Sequence, residues 1–164
     1  MKPIVPTVMM TLSFFPASVW AAEMPPQAFA QKAAISDLFE IEAAKLEIRN
    51  GESDKIKAFA NEMVKDHSGS THNLKDAAAK EGIKLPVTLD AKHQAKLEAL
   101  KPLSGVQLDA AYASTQISVH IEAVALFGVY AKDGKGGPLK AFAENTYPMI
   151  RMHLVRIQGL NSGE

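Results

Sequence analysis

Apolar side chains return every three or four residues through four long stretches of the chain. Between Pro26 and Asn50 they are Ala30, Ala34, Leu38, Ile41, Ala44 and Ile48, one face of a helix. Asn50-Gly51 supplies the residue types that end helices, and Ser53 is placed to cap a second, with Asp54 at its positive end. The second stripe reads Ile56, Phe59, Met63, His67, Ser70, Leu74 and Ala77, and Gly82 stops it. A section over 83–105 holds Pro86, a short helix around Leu89 to Leu100, and Pro102. Ser104 and Gln107 then form an S-x-x-Q capping box, with Leu103 and Leu108 as its hydrophobic staple. The third stripe is Ala110, Ala113, Ile117, His120, Val124, Phe127 and Ala131. After the turn 133–137, Pro138 opens a fourth, Leu139, Phe142, Thr146, Met149, His153, Ile157 and Leu160. Pro148, inside it, withholds an amide from Glu144 and is expected to kink the helix.

Four amphipathic segments joined in two tight pairs predict an all-α fold, a four-helix bundle. The middle section is long enough to travel most of the length of such helices. The expected connectivity is therefore ferritin-like, with a long crossover carrying a short extra helix, in preference to a plain up-down-up-down bundle.

The start of the chain reads as an address. Lys2 precedes an uncharged apolar run from Ile4 to Phe15, and Val19 and Ala21 occupy the −3 and −1 positions of a secretory cleavage site after Ala21. The run is shorter than the ~20 residues a membrane span needs, and it contains Pro6. The expected organisation is a signal peptide over 1–21 and a single bundle domain over 22–164. The product is expected to be exported to the periplasm or cell envelope, with no membrane span after cleavage.

Composition narrows the chemistry. The chain has 18 basic and 18 acidic side chains, and loss of Lys2 with the signal leaves 17 against 18, so nothing favours a nucleic-acid partner. With no Cys, thiolate metal sites, iron–sulfur clusters and Cys nucleophiles are excluded. Phosphate-binding loops, dinucleotide fingerprints and the G-x-S-x-G elbow do not occur. No catalytic residue or cofactor-binding motif is assigned.

What remains is polar residues on apolar stripes. His67, His120 and His153 each stand where Leu is expected. His67 lies about 14 residues below the 51–53 turn; with a crossover, His120 and His153 reach a similar level. The first helix passes that level near Asp37, Glu40 and Glu42. Asp37 points closest to the stripe, Glu40 and Glu42 flank it on opposite sides, and Asp66 adjoins His67. The candidate metal set is His67, His120, His153, Glu40, Glu42 and Asp66, for a divalent ion such as Fe, Zn or Cu. The competing reading is a set of buried core histidines bonded to Asp37, Asp66 or Glu40, in a non-catalytic structural or protein-interaction module with an envelope partner. A third reading is a pH-sensitive core, in which neutral imidazoles resist charging. His72 and the Asp90-x-x-His93 pair read as solvated surface. Met63 and Met149 read as core, although Met149, Met152 and His153 keep a copper option open. Tyr112 and Tyr147 read as structural.

Taken together, Phe29-Ala30-Gln31-Lys32-Ala33-Ala34, Glu40-Ile41-Glu42, Lys57-Ala58-Phe59-Ala60-x-x-Met63-Val64-x-Asp66-His67, Leu89-Asp90-Ala91-x-His93-Gln94, His120 and Arg151-x-His153-Leu154 resemble a known family. It comprises bacterial exported ferritin-like proteins of unknown function, often labelled outer-membrane proteins, and the resemblance covers roughly residues 27–160. It implies a ferritin-like bundle and export, without an activity, and the six candidate ligands match family positions of the same residue types, as does Pro148. Two departures stand out. Asp37 lies where relatives commonly carry small residues, and the Glu-x-x-His pairs of di-iron ferritin-like enzymes are absent, so ferroxidase chemistry does not follow from the fold.

Overall fold

The computed structural model describes residues 24–162, and the signal-peptide expectation for 1–21 lies outside them. Five helices follow in order: α1 (Pro26–Asn50), α2 (Asp54–Lys80), α3 (Ala91–Leu100), α4 (Gly105–Asp133) and α5 (Pro138–Ser162). Among the described residues there is no strand, and no helix is long and apolar enough to cross a membrane.

Local chemistry sets most of the ends. Ser53 accepts from the Ile56 amide at 3.4 Å at the start of α2. At its finish, Gly82 takes φ +69°, and the Gly82 and Ile83 amides bond back to the carbonyls of Ala79 and Ala78, closing a Schellman turn that suits glycine. Asp90 caps α3 through the His93 amide at 2.8 Å, so that helix begins two residues later than the periodicity suggests. The expected capping box at Ser104 does not form. The chain enters α4 through Gly105 at φ +57°, and the Ser104 side chain accepts no cap bond. Leu103 and Leu108 still pack into one apolar cluster, so the staple's hydrophobic half survives. Pro148 sits within α5, which runs past it to Ser162.

The pairs α1–α2 and α4–α5 form hairpins, α2 lies beside α5 and α1 beside α4, and α3 packs on α1 and α4. The crossover traverses the bundle. Asp109, near the start of α4, accepts from the Glu52 and Ser53 amides at 2.9 Å each, back at the α1–α2 turn. At the other end, the Leu139 amide opening α5 donates to Glu81 at the close of α2, at 2.9 Å. The expected four-helix bundle with a long, helix-bearing crossover is therefore present.

Its interior is divided. One apolar cluster, toward the 133–138 turn, contains Phe29, Leu74, Phe127, Tyr130, Leu139 and Phe142. The other, toward the 51–53 turn, contains Phe39, Phe59, Met63, Leu108, Tyr112 and Ile157. Between them lies a level of buried polar side chains.

Candidate metal centre

The sequence register brings the three stripe histidines together. His67, His120 and His153 are all buried, at 4%, 1% and 0% exposure. Their ring centroids are 6.1 Å apart for His67–His120, 5.7 Å for His67–His153 and 5.6 Å for His120–His153. One ligand atom from each lies within 4.8 Å of the others. The Phe59 ring, 6.3 Å from both His120 and His153, roofs the cluster with hydrocarbon.

Each imidazole is held by one nitrogen. His67 Nδ1 donates to Asp37 Oδ1 at 2.8 Å, His120 Nδ1 to the Gln116 carbonyl at 2.9 Å, and His153 Nε2 to Asp66 Oδ2 at 3.1 Å. A carboxylate or carbonyl only accepts, so these bonds place the proton on the engaged nitrogen of each neutral ring. The opposite nitrogens, His67 Nε2, His120 Nε2 and His153 Nδ1, are buried and have no protein partner. Three neighbouring rings thus each keep one nitrogen anchored and one buried and unengaged, the arrangement in which second-sphere acceptors orient metal-ligating histidines.

Carboxylates surround this core unequally. Glu40 is 2% exposed, with Oε1 3.5 Å from His120 Nδ1 and Oε2 unpartnered. Burial raises its carboxyl above the usual range, against the opposing pull of His67. Asp37, also buried, accepts from Thr71 at 3.3 Å besides His67. Asp66 reaches His153 across the α2–α5 interface rather than joining His67. Glu42 departs from the expected set: its half-exposed side chain pairs with Lys45 at 2.8 Å, away from the histidines. Two helical steps turn a side chain about 200°, so Glu40 and Glu42 cannot both face inward.

The titration pattern favours neutral donors at two positions. Burial, reinforced by the charge of His67, pushes His120 and His153 down to about 4. Burial works the same way on His67, but the bond and charge of Asp37, with Glu40 and Asp66 behind it, outweigh it and raise the imidazole above its ordinary value. The surroundings thus favour positive charge at His67 over the other two rings, and a bound cation would compete with a proton there.

Other expectations are met in part. His72 is exposed beside Asp76. His93 is less solvated than expected, packing 5.5 Å from the Phe39 ring while bonding Asp90. Met63 and Tyr112 are core residues. Sequence reasoning overlooked Gln116, whose main-chain carbonyl, one turn before His120, holds that ring whatever the residue type. It also overlooked Glu62, which with Asp66 and His153 forms a second, outer group of ligand-type atoms within 4.8 Å of one another.

A family description, domain of unknown function DUF4142, matches residues 16–160. The chain belongs to that family. No curated protein matches this DUF4142 protein. Among solved structures it is similar to a DUF305 fragment from Deinococcus radiodurans, with TM-score 0.74 and 12% identity over 87% of this chain and 99% of that one. A DUF305 protein from Streptomyces coelicolor, labelled as secreted, has TM-score 0.69 and 11% identity, over 83% of this chain and 91% of that one. At such identity the likeness establishes a shared helical fold. The family is one of unknown function, as the resemblance implied, and none of these descriptions carries a ferritin-like or outer-membrane designation.

Proposed function

We propose that this DUF4142 protein is an exported, envelope-located protein that binds one divalent transition-metal ion through His67, His120 and His153, with Glu40 as the carboxylate nearest to completing the set. The observation that carries this reading is the trio of buried, unpartnered ring nitrogens, each opposite an anchored one. A buried polar atom left without a partner costs about 1–3 kcal/mol. Three at one point represent about 3–9 kcal/mol, a penalty that a cation shared among them removes. The donor set of imidazoles and one carboxylate suits zinc, iron or copper better than magnesium or calcium. Tetrahedral zinc, at ~2.0–2.1 Å from each nitrogen, holds its donors about 3.3 Å apart, so the three ligand atoms, within 4.8 Å of one another, would draw together on loading.

The role proposed is sequestration, as protection of the envelope against metal or oxidative stress. A bound ion supplies Lewis acidity, and Phe59 with the apolar layers on either side keeps bulk water from it. Export is supported by the apolar leader with its Val19–Ala21 cleavage pattern and by the secreted label of the Streptomyces neighbour.

Elemental analysis of untagged protein tests the metal reading, with about one equivalent per chain expected. Replacing His67, His120 and His153 together with apolar residues should abolish uptake. A metal-free preparation whose melting ignores Zn, Fe, Cu and Mn, with a triple variant equally stable and functional in cells, would favour the structural module instead.

A further inference from the structure

The three histidines are sealed from solvent, so an ion reaching them has to pass a wall of the bundle. The α2–α5 face offers a route. Glu62 and Asp66, one turn apart on α2, place carboxylate oxygens within 4.8 Å of each other and of a His153 ring nitrogen. Both side chains are 24% exposed, whereas His153 is fully buried. His153 belongs to both groups. Its Nε2 meets Asp66 on the outer side, its Nδ1 is buried without a partner, and its ring lies 5.7 and 5.6 Å from those of His67 and His120. Arg156, half-exposed on the next turn of α5, pairs with Glu62 across the same interface and holds a positive charge over the outer group.

The geometry points to Glu62, Asp66 and His153 as a capture site through which a divalent transition-metal ion enters and leaves the buried centre, His153 turning its lone pair outward by shifting its proton from Nε2 to Nδ1, with the Arg156–Glu62 ion pair as the latch. This rests on the metal reading proposed above. Two carboxylates and one imidazole are a harder, more hydrated donor set than three imidazoles, and so hold a first-row ion more loosely and exchange it faster. An arriving cation displaces Arg156 from Glu62, gains both carboxylates, and then lies one imidazole away from the interior set. The outer group thereby governs the rate of exchange, while the inner group governs affinity.

Rapid mixing of the metal-free full chain with Co2+, followed by the visible absorption of the low-symmetry ion, separates rate from affinity. Glu62 touches none of the inner ring nitrogens, so Glu62→Gln should slow both uptake and chelator-driven release by about tenfold or more, the scale of electrostatic focusing, with Kd unchanged. Arg156→Ala should accelerate uptake, while Arg151→Ala, which removes a cation from beside Tyr147, should not. Unchanged rates in Glu62→Gln and Arg156→Ala, with a normal final spectrum, would overturn the capture site and leave the metal centre standing. Equal acceleration by Arg156→Ala and Arg151→Ala would likewise overturn the latch, reducing it to a general charge effect. A wild-type chain that develops no Co2+ spectrum at all would overturn both proposals together.

Discussion

Asp37→Asn is the sharpest probe of the centre, because it keeps the shape of the residue and removes one charge. Asp37 is 3% exposed and accepts from His67 Nδ1 at 2.8 Å and from Thr71 at 3.3 Å. An asparagine oxygen can still accept from neutral His67, so the ring keeps its orientation but loses the anion that strengthens it as a ligand. Loss of such an outer partner typically weakens metal binding 10–100-fold, equivalent to about 1.4–2.7 kcal/mol. At a metal concentration of about 100 times the wild-type Kd, binding stabilises wild type by about 2.7 kcal/mol. The variant, then at about 1–10 times its own Kd, gains only about 0.4–1.4 kcal/mol. For a domain of this size, each kcal/mol moves Tm by about 3–5 °C. Thermal denaturation at neutral pH with and without Zn2+ should therefore show a rise of about 8–14 °C in wild type and about 1–7 °C in Asp37→Asn. Equal metal-induced rises in the two proteins would refute the view that Asp37 tunes a ligand; no rise in either would refute zinc binding itself.

Three further predictions concern the scaffold. Glu47 is fully buried, and its carboxyl, first through burial and then through Asp109, is raised to about 8. Since the folded state holds that proton more tightly than the unfolded one, stability should fall as pH rises from about 4.5 to about 8 and level off above; urea titrations at pH 5, 7 and 9 should show Glu47→Gln losing that slope, and parallel curves would contradict it. Asp109→Ala strands the Glu52 and Ser53 amides at the α1–α2 turn and should cost about 2–4 kcal/mol in the same assay. Ser53→Ala should cost about 0.5–1 kcal/mol, whereas Ser104→Ala, which removes no cap bond, should fall within about 0.5 kcal/mol of wild type.

The parts of this molecule that depend on chain periodicity were legible beforehand, and those that depend on side chains meeting across helices were less so. Spacing alone put His67, His120 and His153 at one level, because a rigid helical rise converts residue count into depth. The same arithmetic placed Glu40 near them, yet it could not choose between Glu40 and Glu42. It named Asp37 as the inward residue but left it out of the proposed ligands; the fold makes it the anchor of His67. Gln116 contributes a main-chain carbonyl, which residue type does not advertise. The Ser104 capping box failed because a local motif competes with the path of the chain, and Gly105 at φ +57° lets the crossover enter α4 differently. Asp109, by contrast, bonds amides more than fifty positions earlier, a partnership that only the closed topology creates.

A bundle whose hydrocarbon filling is interrupted at mid-height resembles two short barrels of helix set end to end. Helices ordinarily loosen from their tips, but here the weakest belt without an ion should be the waist. Cation loading would then act as a crossbrace tying α2, α4 and α5 at that belt. Amide exchange near His67, His120 and His153 should slow on loading far more than exchange around Phe29 or Leu108.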